Sequence, residues 1–198
     1  MMTNGTGAEV YQLHVWLRHI SPMIWRRLLL CSDSRIANLH FTLLIAFGWS
    51  DDHSNRFHIH GQDYGVYHDG GISFSSNANK VRLSNIKFRK NERFLYEYDL
   101  SDCWQHEVRV VACLAPEDKR LYPCCIGGQR RAPPEGCGGS LSFMDRRDEV
   151  PLRLDELLEE IRDYLESNNL EAIRDLAEDI EELHEWFILD RFDRRPYQ

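Results

Sequence analysis

Apolar and polar side chains alternate through the first ordered stretch of the chain. Tyr11, Leu13, Val15 and Leu17 fall on one side of residues 10–18, and Gln12, His14, Trp16 and Arg18 on the other. A period of two with one apolar side predicts a half-buried strand. Ser21-Pro22 interrupts it. Met23 to Leu30 predicts a second strand, with Trp25, Arg27 and Leu29 opposite Ile24, Arg26 and Leu28. So short a link favours an antiparallel hairpin. The period then lengthens. Ile36, Leu39, His40, Leu43 and Phe47 follow helical spacing, with Ser32-Asp33-Ser34 as N-caps and Gly48 where a C-cap belongs.

The same reading continues downstream. Arg56 to His60 and Asp63 to Tyr67 bracket Gly61-Gln62, a predicted hairpin, and residues 69–79 read as loop. Arg93 to Leu100 and Gln105 to Leu114 alternate again, joined by a turn at Ser101-Asp102-Cys103. His106 shares the apolar side of the second segment with Val108, Val110 and Ala112. Two amphipathic helices follow, one carrying Leu154, Leu157, Leu158, Ile161 and Leu165, the other Ile173, Leu176, Ile180, Leu183 and Phe187. The predicted class is α+β: an antiparallel sheet with a packed helix and a C-terminal acidic helical pair. Residues 1–9 read as a loose tail. Residues 10–198 read as a single domain with its helical C-terminal region at 152–190.

Composition and charge narrow the partners. An apolar share of 42% supports a real core in a chain of 198 residues. No apolar run is long enough to span a bilayer, and the start of the chain lacks the features of a signal peptide. The expected location is therefore cytoplasmic, with all six cysteines reduced. Residues 1–140 carry a net charge of +2 and residues 141–198 a net of −10. The acidic C-terminal part repels phosphate, so any nucleic-acid contact falls to the N-terminal part.

One segment departs from both periods. Leu121 to Ser140 holds three cysteines, five glycines and three prolines. Such a composition predicts a loop with neither helix nor regular strand, fixed around a ligand, a metal or a core edge.

Taken together the motifs resemble the plasmid pRiA4b open-reading-frame-three-like family. The resemblance rests on Pro22-Met23-Ile24-Trp25-Arg26-Arg27, Leu39-His40, Phe47-Gly48-Trp49, His53 and Phe57-His58-Ile59 with Tyr64-Gly65. It continues through Phe94 to Asp99, Asp102 to Glu107, Tyr122-Pro123 with Cys125, and Pro133-Pro134-Glu135 with Cys137-Gly138-Gly139. It implies a compact α+β domain of prokaryotic plasmids, transposons and chromosomes, and no agreed reaction, substrate or cofactor. Leu100-Ser101-Asp102 and Arg131 to Gly136 depart from the family pattern, which removes one family cysteine and one family aspartate.

Four groups of residues bear chemistry. Asp99, Asp102 and His106 frame one hairpin end, where carboxylates beside an imidazole suit acid–base work or a divalent ion. Cys125 and Cys137, completed by His106, are the candidate ligands for zinc or another divalent metal. His58 and His60 share a strand face, with His53 nearby in sequence. Trp25, Arg26, Arg27, Trp49, Trp104, Arg130 and Arg131 mix aromatic and basic character, which suits nucleic acid, although Arg26 and Arg27 point to opposite sides. No phosphate-binding glycine loop, metalloprotease helix or nucleophile elbow is present.

The reading that follows is a non-enzymatic ligand- or partner-binding domain. Its pocket is expected where Asp99, Asp102, Trp104, His106 and Arg130 meet the 122–139 loop. A metal-dependent hydrolase or nuclease, and a nucleic-acid-binding accessory protein, are the alternatives.

Overall fold

The alternating segments line up as neighbours in one sheet. The structure is a computed structural model that describes residues 9–65 and 74–190. Its strands are β1 (Val10–Leu17), β2 (Trp25–Cys31), β3 (Asn55–Ile59), β4 (Gln62–Gly65), β5 (Ser76–Asn77), β6 (Arg93–Tyr98), β7 (Trp104–Leu114) and β8 (Cys124–Gln129). They run in the order β5-β4-β3-β6-β7-β1-β2-β8. Every pair is antiparallel except β4 with β5. The helices are α1 (Ile36–Phe47), α2 (Leu83–Ile86), α3 (Gly139–Glu166), α4 (Leu170–Asp175) and α5 (Ala177–Phe187), followed by a 3-10 turn at Ile188–Asp190. The α+β class is as the sequence implies.

One face of the sheet is sealed. Leu13, Val15, Leu17, Leu28, Leu30, Phe57, Ile59, Tyr96, Val108 and Val110 are buried there, and in β1 and β7 these are the residues the alternation put on the apolar side. The buried side of α1, with Ile36, Leu39, Leu43 and Phe47, joins the same core. Gly48 ends α1 at φ 76, a left-handed position that glycine adopts without strain. The β3–β4 turn places His60 at φ 50 and Gly61 at φ 75, the two positive angles of a tight hairpin turn.

Several expectations change. The N-cap of α1 is Arg35, not the serines before it, and the Asn38 carboxamide accepts the Arg35 N–H at 2.9 Å. Cys124–Gln129 is a regular strand, although its glycines and cysteines predicted a loop. It contains no proline, β2 offers a free edge, and a bulge at Arg27/Leu28 absorbs the irregular register. The Trp25 ring covers Gly127, and a β-carbon placed there would meet it at 3.7 Å, an ordinary van der Waals contact. The first C-terminal helix begins at Gly139, well before the predicted start, because Phe143 is buried and stacks on Trp186 with ring centroids 5.5 Å apart. The second helix breaks at Leu176 into α4 and α5. There Leu157, Leu176 and Leu183 form a small separate core. Within the predicted 69–79 loop, Ser76–Asn77 pairs with β4. The predicted N-terminal tail through residue 8 and the 66–73 segment lie outside the described residues. No helix among the described residues is long and apolar enough to cross a membrane.

Candidate functional site

Asp99 and Asp102 sit at the β6–β7 turn, and each commits one carboxylate oxygen to backbone N–H groups. Asp99 sits at φ 50, and its Oδ1 accepts the N–H of Ser101 at 3.0 Å and of Asp102 at 3.4 Å. Its other oxygen lies 3.6 Å from His53 Nδ1. Asp102 Oδ2 accepts the Gly138 N–H at 3.0 Å. The hairpin bend therefore touches the glycine-rich segment, as the sequence reading required. A shallow cleft forms there between Asp102, Gln105, Gly138, Ser140 and His19.

The rest of the expected pocket does not join them. His106 is fully buried on the opposite side of the strand, between the rings of Phe47 (4.8 Å), Trp49 (5.2 Å) and Tyr96 (5.1 Å). Burial pushes its pKa down to about 3, and the Arg26 guanidinium adds to the effect. The main chain of Tyr96 and Trp104 pulls the other way, more than Arg26 adds, and neither ring nitrogen has a well-formed hydrogen bond among the described residues. The ring is neutral in the ordinary pH range. Trp104 is buried beside it, its indole N–H also without a partner. Arg130 reaches the β1–β2 connection instead, donating to the Met23 carbonyl at 3.1 Å.

The expected metal ligands are not assembled. The Cys125 thiol donates to the Gly127 carbonyl at 3.3 Å. Cys137 is buried near Asp102, and burial first, then that carboxylate, pushes its thiol pKa up. Among the described residues no group of three or more His, Cys, Asp or Glu side chains is placed to hold an ion. His58 and His60 each take a carboxylate of their own, Asp63 at 2.7 Å and Glu92 respectively.

The structure also joins polar residues that spacing did not connect. Buried His40 on α1 shares 2.7 Å bonds with the Tyr96 hydroxyl through Nδ1 and with Asp51 through Nε2. Glu135 accepts from the Ser50 N–H (2.8 Å), the Ser50 hydroxyl (3.1 Å) and the Tyr98 hydroxyl (2.8 Å). Burial raises the Tyr98 pKa strongly, and the Glu135 carboxylate raises it further. The Trp49 indole N–H donates to the Pro133 carbonyl at 2.8 Å. These bonds fasten the Pro133–Glu135 segment over the end of α1.

The outward face of the sheet is the other concentration of chemistry. Residues paired directly across strands share a side. Reading the registers from β8 through β2, β1, β7 and β6 gives one row of Gly127, Arg27, His14, Arg109 and Arg93. The adjoining row is Gln129, Trp25, Trp16, Glu107 and Leu95. Both tryptophans, His14, Arg27 and Arg109 are half-buried, and Arg93 is exposed. The His14 ring lies 5.3 Å from Trp16 and 5.2 Å from Trp25. Arg27 sits 5.7 Å from the Trp25 ring centre, and Arg93 sits 5.6 Å from that of Trp16. Arg93 also pairs with Glu107 at 2.7 Å, and Arg109 donates to the Asn91 carboxamide. Neither Arg27 nor Arg109 has a carboxylate partner among the described residues, and the Nε of each lacks a hydrogen-bond acceptor within the protein. Partial burial lowers the His14 pKa, helped by Arg27 and Arg109. Sequence alternation put His14 and Trp16 on the polar side of β1 and Trp25 and Arg27 on one side of β2, but the full neighbour order that assembles the rows was not readable there.

An α+β protein with one sheet face sealed by aromatic core and the other displaying tryptophan and arginine is the class so defined. The chain belongs to the plasmid pRiA4b ORF-3-like protein family, whose model matches residues 9–195. It is 28% identical over 143 residues to uncharacterized protein y4hQ of Sinorhizobium fredii (strain NBRC 101917 / NGR234), an overlap covering 70% of this chain and 71% of that one. It is also similar to the crystal structure of MM3350 from Methanosarcina mazei Go1, a protein of unknown function. There the TM-score is 0.69 and the identity 26%, with 98% of each chain covered.

Proposed function

We propose that the protein is a non-enzymatic binding domain and that an anionic partner sits on the open face of its sheet. The observation that carries this reading is the in-register run Arg27–His14–Arg109 across β2, β1 and β7. At its β6 end the same row sets Arg93 directly opposite Arg109, and like charges so placed on adjacent strands destabilise a sheet. A face that keeps two guanidiniums flanking one imidazole, with no carboxylate on either among the described residues, gains from an incoming anion. The cleft at Asp102 supports the reading less, because its carboxylate already holds the Gly138 amide. A metal-dependent hydrolase would need Asp99, Asp102 and His106 at one ion, and His106 lies within the aromatic core instead. We place the protein in the cytoplasm, a reading supported by its six free thiols.

Site-specific photocrosslinking in cells tests the surface. A photoreactive residue replaces Leu95 on the open face, Ser140 in the cleft or exposed Leu158 on α3. The expected result is an adduct at position 95 that disappears in the Arg27→Glu background. Adducts that survive Arg27→Glu, that form only at 140 or 158, or that form nowhere would overturn the assignment.

A further inference from the structure

We infer that the anionic partner is a single strand of nucleic acid, its phosphates on the arginine row and its bases on the tryptophans. This rests on the binding reading above and names the ligand for the same face. Strands in a sheet lie about 4.8 Å apart, so the three steps from Arg27 to Arg93 span roughly 14 Å. Adjacent same-face rows lie about 7 Å apart along a strand, a gap that a sugar can bridge between phosphate and base. Trp25 stands next to Arg27 along β2, two residues away, and Trp16 stands likewise next to His14 along β1. Each indole also has a guanidinium within 6 Å of its ring centre, at 5.7 Å for Trp25 and 5.6 Å for Trp16.

The pairing of the two rows selects among anions. An acidic protein segment would satisfy the arginines and leave the indoles without a matching group. A duplex offers phosphates but keeps its base faces stacked inside. A single strand offers both, and indole stacking tolerates any base. Charge agrees in sign. Across β2, β1, β7 and β6 the two rows hold Arg27, Arg109 and Arg93 against Glu107, a local net of +2 within a chain of net −8. The acidic residues concentrated in 141–198 repel phosphate, which leaves a strand to the part of the chain that carries this face.

Fluorescence anisotropy with the purified full chain and a labelled oligothymidylate of about twelve nucleotides tests the inference. Binding is expected at about 50 mM salt, weakening steeply by about 200 mM. Trp16→Leu and Trp25→Leu, which keep apolar bulk but lose the ring, should each weaken binding by about fivefold or more. Arg27→Ala and Arg109→Ala should each reduce the salt slope by about 0.7. The matching duplex should bind about tenfold more weakly. Quenching of intrinsic tryptophan fluorescence in the unaltered protein gives a readout that needs no variant.

No binding at low salt, equal binding of the duplex, or affinity indifferent to both tryptophan changes in folded variants would overturn it. If position 95 crosslinks a protein in an Arg27-dependent way while every oligonucleotide fails, the nucleic-acid ligand falls and the binding face stands. If both experiments fail, both readings fall.

Discussion

The main-chain oxygen of Asp102 lies 2.3 Å from the point where a β-carbon on residue 139 would stand. Gly139 also has φ +80, an angle that side chains resist. The β6–β7 turn and the start of α3 are therefore in backbone contact, secured by the bond from Gly138 to the Asp102 carboxylate. Gly139→Ala should destabilise the fold by about 2 kcal/mol or more, combining a steric clash with backbone strain. Urea unfolding measures it, and a midpoint unchanged from the parent would mean that the two segments can separate freely.

Acid should find a weak point at His106. Its folded pKa is about 3 against an ordinary 6.5, because burial disfavours the charged ring. Between those values the unfolded chain takes up the proton and the folded chain refuses it. Its contribution is thus fully present above about pH 6.5 and declines as pH falls, by at most about 1.4 kcal/mol per pH unit. His106→Phe keeps an aromatic ring in the pocket and removes the titration. A flatter stability profile between pH 6.5 and 4 is expected, followed by chemical denaturation at several pH values. A variant with the parent's slope would place the acid sensitivity elsewhere.

Glu135 ties its own segment to Ser50 and Tyr98. Glu135→Ala should cost about 1–3 kcal/mol, since it strips a partner from each of three donors. Hydrogen exchange at the Ser50 amide should quicken more than at the β7 amides. Equal change at both would indicate a general loosening and no local clamp.

The two bonds of His40 should differ in weight. Tyr96 is fully buried, whereas the Asp51 side chain is 46% exposed. Tyr96→Phe is expected to cost about 1–3 kcal/mol and Asp51→Asn less than about 1 kcal/mol, because water can replace an exposed acceptor and not a buried one. Thermal unfolding of both variants checks the order, and a larger loss for Asp51→Asn would reverse it.

Local pattern was informative wherever the chain obeys one period over several residues. It separated the apolar from the polar side along β1 and β7 and put Arg26 and Arg27 on opposite sides of β2, where the structure buries Arg26 and leaves Arg27 half-buried on the outer face. The Arg26 guanidinium fits inside because it donates to the carbonyls of Ala46, Trp25 and Gln129 and lies over the Phe47 ring. The pattern failed at Cys124–Gln129, where composition argued for a loop and the open edge of β2 supplied a ladder. It was silent on His40 and Tyr96, whose bond spans 56 residues of sequence. The expected site contracted for a related reason: Asp102 and His106 are close in sequence, but the strand sends their side chains to different surroundings.

Alone, the sequence determined the strands that obey a period of two, the central helix and the presence of acidic helices near the C-terminus, because side-chain direction follows from backbone period. Tertiary structure decided how the predicted hairpins line up side by side. By inserting β1 between β2 and β7 it turned separate outward residues into rows of arginine and tryptophan. Strand order depends on long-range pairing and packing, which no local repeat encodes.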